Sequence, residues 1–253
     1  MKKTLGFSIN VIVMVMVLMA AIPAVASPGD DTARISDSTV KVLVERELAR
    51  RNLAKNDVEV AVEDHVVTLS GRVSTLTEKQ RIAETARKAY GVARVENNLG
   101  VRVVSDKDIA EAVRKSVVTS PYYDAFDWIE AQVNDGRVML AGSVREPWRK
   151  SDFENRVMNI AGVSEIDNQI KVLPLSNYDD EIRLRALRTI YGSSTLSKYA
   201  LGANPPIHII VDNGRVVLKG VVANTMDRQI AESLVRSNTL AFDVKNELQV
   251  ETD

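Results

Sequence analysis

The sequence predicts an α+β protein of three tandem αββαβ units, each a three-stranded sheet covered by two helices on one face. Three observations carry this. A segment ending in glycine occurs three times without gaps, as Val62–Gly71, Val133–Gly142 and Val211–Gly220. A motif centred on asparagine follows each copy, and the glycine-to-asparagine offset is 26 residues every time (97 − 71, 168 − 142, 246 − 220). Apolar residues alternate with period two up to each glycine and recur with helical spacing elsewhere, which is the signature of strands and helices taking turns.

The units are preceded by a different kind of segment. Lys2 and Lys3 start it, an apolar run extends from Val11 to Ile22, and Ala24-Val25-Ala26 stands before Ser27. That order is that of a secretory signal peptide over residues 1–26 with an A-x-A cleavage site. The run is shorter than the roughly 20 apolar residues a transmembrane helix needs. The other reading is an uncleaved anchor from Leu5 to Ala26. Residues 27–36 form a linker. The units then run over 37–103, 106–173 and 179–250, joined by residues 104–105 and 174–178. Such short connections leave neighbouring units able to touch. Each unit is near the size at which burial alone is marginal, about 60 residues, so docking between units adds stability.

Each unit opens with a helix. In the first copy Asp37 or Ser38 can cap it, and Val40, Leu43, Val44 and Leu48 share a face. The first strand follows, with Val58, Val60 and Val62 inward; the matching rows are Ile129, Ala131, Val133 and Ile207, Ile209, Val211. Asp135-Gly136 and Asn213-Gly214 are strong hairpin turns, because a type I′ turn needs positive φ at both central residues; Asp64-His65 is a weaker pair for the same job. In the second strand Gly71, Gly142 and Gly220 fall in the inward row, where a missing Cβ allows a close backbone approach or a bulge. The second helix carries Ile82, Ala86 and Ala89, then Phe153, Val157 and Ile160, then Ile230, Leu234 and Val235. The third strand places Asn97, Asn168 and Asn246 in its apolar row, and a buried amide must be hydrogen-bonded, here to a loop or helix end. The strand–helix–strand step is a right-handed crossover that puts both helices on one face and leaves the other more polar. The third copy departs from the rest: it has a longer loop before its first strand, including Gly202-Ala203-Asn204-Pro205-Pro206, and lacks the glycine–valine pair seen at Gly91-Val92 and Gly162-Val163.

The pattern resembles the BON domain (bacterial OsmY and nodulation). The residues that carry the resemblance are Val-x-Leu-x-Gly-x-Val in the second strand, at Val67–Val73, Val138–Val144 and Val216–Val222. The third strand adds Gly-Val-x-x-Val-x-Asn-x-Leu at Gly91–Leu99, read as Gly162–Ile170 in the second copy and only by its second half in the third. A signal peptide followed by BON domains looks like the periplasmic, osmotically inducible type. The resemblance implies a non-enzymatic envelope protein that binds phospholipid or the membrane surface. It supplies no ligand-binding residue set, since its motifs are positions that determine the fold.

The composition narrows the chemistry. A net charge of −1 lacks the basic excess a general nucleic-acid binder uses to neutralise phosphates, so no nucleic-acid partner is expected. With no cysteine there is no disulfide, no thiolate nucleophile and no thiolate metal ligand. His65 sits at a hairpin turn and His208 is expected to point outward on a strand of another unit, so no metal site and no cofactor is expected. No paired acid and base, P-loop, dinucleotide fingerprint or nucleophile elbow occurs, and no enzyme is expected. One segment is chemically uneven. The second copy holds Tyr122, Tyr123, Phe126, Phe153 and both tryptophans, and Arg145-Glu146-Pro147-Trp148-Arg149-Lys150 opens its second helix. A tryptophan among cations suits a lipid headgroup interface. Arg145, Trp148, Arg149 and Lys150 are therefore the candidate lipid-binding residues; the competing reading packs Trp148 on its own domain or a neighbour. The expected partner is a membrane phospholipid surface, with a periplasmic protein- or polysaccharide-binding scaffold as the alternative. What is specific to this chain should lie where the copies differ.

Overall fold

The computed structural model describes residues 35–54, 57–202 and 204–251, so the expected signal peptide and most of the linker lie outside the described residues. No helix among the described residues is long and apolar enough to cross a membrane.

The first unit comprises α1 (Asp37–Arg50), the hairpin β1 (Val58–Glu63) and β2 (Val66–Val73), α2 (Leu76–Arg87), and a third strand in two pieces, β3 (Arg94–Asn97) and β4 (Gly100–Val101). The second repeats this as α3 (Asp106–Val118), β5 (Trp128–Asn134), β6 (Arg137–Val144), α4 (Pro147–Met158), β7 (Glu165–Asn168) and β8 (Lys171–Val172). The third contains α5 (Asn177–Tyr191), a 3₁₀ turn at Ser197–Ala200 within its long loop, β9 (Ile207–Asp212), β10 (Arg215–Val222), α6 (Thr225–Asn238), β11 (Asp243–Asn246) and β12 (Gln249–Val250). In each unit the hairpin is antiparallel and both pieces of the third strand run parallel to the second, which is the central strand. The sheet is thus three-stranded with a broken third strand.

The break has a chemical cause. Asn97 Oδ1 accepts from the Leu99 N–H (3.3 Å) and its Nδ2 donates to the Lys79 carbonyl of α2 (3.4 Å). Asn168 and Asn246 do the same, to Ile170 (3.2 Å) and Lys150 (3.1 Å), and to Leu248 (3.2 Å) and Arg228 (2.8 Å). The amide takes an N–H that the ladder would otherwise use and fastens the strand to the helix above it. Gly71, Gly142 and Gly220 have φ of +109°, +120° and +116°, and a Cβ there would lie 1.8–1.9 Å from the carbonyl oxygen of Asp57, Trp128 or Pro206. The approaching backbone is therefore the start of the neighbouring strand. All three hairpin turns have positive φ at both central residues, Asp64-His65 included (49° and 62°).

Several expectations are corrected. The cap of α1 is Ser36, not Asp37 or Ser38. Asp37 is instead turned onto the hairpin, accepting from the Asp64 and His65 N–H groups (2.9 and 3.0 Å). Ala131, read as inward, is exposed, because it lines an open cleft beside Val113 and Val117 of α3. His208, read as outward, is 5% exposed, because the second unit covers the face it points to.

The three cores are separate. Val40, Val44, Leu69 and Ile82 centre the first; Ile109, Leu140 and Phe153 the second; Ile182, Ile209, Leu218 and Val235 the third. Neighbouring units touch. Leu76 of the first packs against the second core, and the Gly162 N–H donates to the Ser74 carbonyl (3.1 Å). Between the second and third units the Ile209 N–H donates to the Ala125 carbonyl (2.7 Å), Phe126 enters the third core, and Lys219 pairs with Glu130 (3.0 Å).

Candidate functional site

The aromatic and cationic residues of the second unit meet where the loop between α3 and β5 crosses the start of α4. The local sequence dictates this. Pro147 occupies the first turn of α4, where its missing N–H costs nothing, and the preceding Glu146 makes no side-chain cap. The loop then supplies the missing negative charge from a distance. Arg149, 8% exposed, reaches across to Asp124 (2.9 Å) and to the fully buried Asp127. Asp127 also accepts the Arg145 N–H (3.1 Å). Burial and the nearby Asp124 push the Asp127 carboxyl up to about 6, against the Arg145 N–H and the Arg149 guanidinium, which favour its charged form.

This arrangement divides the four candidate residues. Arg149 is committed to an internal ion pair, so its guanidinium is not presented to a headgroup; breaking such a pair would strand a charge. Trp148 is 47% exposed and stands edge-on to Tyr122 at 4.8 Å, with Tyr122 equally open to solvent. Arg145 is half-buried, near Glu146 (3.5 Å) and over the Phe126 ring (5.7 Å). Lys150 is half-buried, and its side chain makes no ion pair among the described residues. The solvent-facing feature is thus a Tyr122–Trp148 pair, with Arg145 and Lys150 close to Trp148 in sequence. The sequence missed the role of Asp124 and Asp127; two acidic residues inside an aromatic stretch were the signal for a buried cationic partner. Among the described residues no three His, Cys, Asp or Glu side chains come together as a metal site.

The fold and its repeated motifs define the class of protein: a model of the BON domain matches residues 36–103, 105–174 and 194–252, and the chain belongs to that family. The third match begins after α5, although α5 occupies the place that α1 and α3 hold in the other units. The osmotically-inducible protein Y of Escherichia coli (strain K12) is 23% identical over 146 residues, 54% of this chain and 73% of that protein. Two solved structures align at 12% identity. The C-terminal domain of CdsD, a structural protein of the type III secretion system of Chlamydia trachomatis, has a TM-score of 0.25 over 86% of this chain and all of that one. The periplasmic domain of the inner-membrane protein PrgH from S. typhimurium has a TM-score of 0.22 over 80% of this chain and all of that one.

Proposed function

We propose that this protein is an exported, non-enzymatic component of the cell envelope, acting in the periplasm, that associates with anionic phospholipid surfaces during osmotic or envelope stress. The observation that carries the reading is the exposed Tyr122–Trp148 pair, in a segment that also holds Arg145 and Lys150. Aromatic rings partition to the headgroup boundary and neighbouring cations meet lipid phosphate, each contributing about 1 kcal/mol near an anionic surface. Membership of the BON family and the likeness to a protein named for osmotic induction support the setting. The leader at residues 1–26 supports export.

Co-sedimentation of the mature chain with phosphatidylglycerol vesicles at low salt tests this. Binding that falls with added salt is expected, and no binding at low salt sinks the reading. Trp148→Ala with Lys150→Ala should lower vesicle affinity by about tenfold, from one lost anchor and one lost charge. Unchanged affinity would move the site elsewhere.

A second reading, a periplasmic protein- or polysaccharide-binding scaffold, is favoured by an exposed apolar cluster on the third unit. There Tyr178 stacks on Phe242 at 5.5 Å and Leu240 lies open beside them. Cross-linking in cells that traps one stoichiometric protein through this cluster would favour it.

A further inference from the structure

The second unit and the long loop of the third border one cleft. Its volume is about 710 Å³, within the range of about 300–1,000 Å³ typical of small-molecule sites. One wall is α3, through Val113 and Val117, with Ala131 of β5; the opposite wall is the long third-unit loop at Pro205 and Pro206 with Val221 of β10. Tyr123, Trp128 and His208 also line it, with ring centroids of Tyr123 and Trp128 at 5.0 and 5.1 Å from His208.

One residue leaves room in the wall of the cleft. Ala131 pairs with Leu140 at the same register as Val60 with Leu69 and Ile209 with Leu218. Two copies fill that position with a branched side chain; the second leaves it open.

The charges around it are uneven. Glu130 accepts from Trp128 Nε1 (2.5 Å) and pairs with Lys219, so its charge is answered. His208 is buried beneath the Asp124 carbonyl (3.1 Å). Arg114 is exposed at the cleft and makes no ion pair among the described residues. The lining is apolar with one unanswered positive charge.

We propose that this cleft binds a single-chain anionic amphiphile, with the acyl chain between α3 and the Pro205-Pro206 loop and the anionic group at Arg114. Its shared chemistry covers a free fatty carboxylate and a lysophospholipid. It does not rest on the membrane-surface reading, whose residues Tyr122, Arg145, Trp148 and Lys150 do not line the cleft.

The mature chain carrying Trp148→Phe keeps Trp128 as its single tryptophan, in the wall of the cleft. Submicellar 9,10-dibromostearate should quench its emission saturably. Unbrominated palmitate or lysophosphatidylglycerol should reverse this, reversal by either supporting the site. Quenching that is only collisional and linear, or reversed by neither, overturns the proposal. Arg114→Glu should weaken binding of the bromo-acid by about fivefold, the size of an exposed charge contact reversed, and leave a neutral monoacylglycerol unaffected. Ala131→Ile inserts the bulk the other copies carry and should reduce binding at least about tenfold, since the walls supply most of the affinity. Should that variant fold poorly by circular dichroism, Val221→Glu at the rim replaces it. Undiminished binding in the folded variant sinks the assignment. Vesicle co-sedimentation is read separately, on the chain with Trp148 intact: loss of saturable quenching with vesicle binding intact removes the cleft alone, and the converse removes the surface patch alone.

Discussion

Asp37, Asp106 and Asp179 each tie the start of a helix to the hairpin of the same unit, accepting from both turn N–H groups. Asp106 takes those of Asp135 and Gly136 (both 2.9 Å), and Asp179 those of Asn213 and Gly214 (3.0 and 2.7 Å). The positive φ values of an I′ turn point these two donors the same way, so a single carboxylate can satisfy both. The cost of losing it depends on whether water can substitute. Asp179 is fully buried, whereas Asp37 is partly open. Asp179→Ala should therefore destabilise by about 3 kcal/mol and Asp37→Ala by about 1 kcal/mol. Urea denaturation of the two variants checks this, and equal losses would contradict the burial argument. His65 is a second case. It holds φ +62° where the other copies have glycine at +75°. A left-handed residue with a Cβ carries about 1–2 kcal/mol of strain, so His65→Gly should raise stability by about 0.5–1 kcal/mol, net of the extra chain entropy of glycine. A lower urea midpoint would refute it.

At the scale of the element, the asparagine in the third strand and the glycine in the second act on one sheet from opposite sides. Asn246→Leu keeps the branched shape but removes the acceptor for Leu248 and the donor for Arg228 and Glu232, so it should cost about 2 kcal/mol. Faster amide exchange at Leu248 is the measurement, and unaltered protection would show the amide to be dispensable. Gly220→Ala asks more, since its Cβ would meet the Pro206 carbonyl at 1.9 Å and the strand start must move. These positions were legible in the sequence because repetition exposes them and because strand alternation and turn chemistry are local. The cap was misplaced by one residue because Ser36 and Asp37 are both good caps, and only the hairpin, 27 residues away, decides which one is free to cap. Ala131, His208 and the identity of the cation that Asp127 meets were illegible for a further reason. Their surroundings come from a long-range loop or from another unit, which no window of sequence contains.

The whole molecule is asymmetric although its units are alike. The first unit meets the second through Leu76 and Ser74, whereas the second meets the third through a strand edge, a buried aromatic and charge pairs. His208 sits in that second junction, between Tyr123 and Trp128, with its Nδ1 at the Asp124 carbonyl. Burial holds its pKa below the usual imidazole value, against the Asp127 and Asp124 carbonyls, which favour the charged form. The folded state thus prefers neutral His208. Its contribution is fully present above about 6.5, the unfolded value, and is lost as pH falls toward the lower folded value. Asp127 behaves oppositely: its raised carboxyl, at about 6, adds stability below about 3.8 that is lost as pH rises through 6. The two partly cancel in the intact chain between pH 7 and 5, so the wild-type profile alone is uninformative. His208→Gln removes one of them. Between pH 7 and 5 the melting temperature of that variant should fall less, or rise more, than that of the wild type. The difference should appear in the unfolding of the third unit, followed by exchange at the Ile209 amide, which bonds across the junction. Parallel pH profiles for the two proteins would mean that His208 is as easily protonated in the folded chain as in the unfolded one, and that the second unit does not seal it from water.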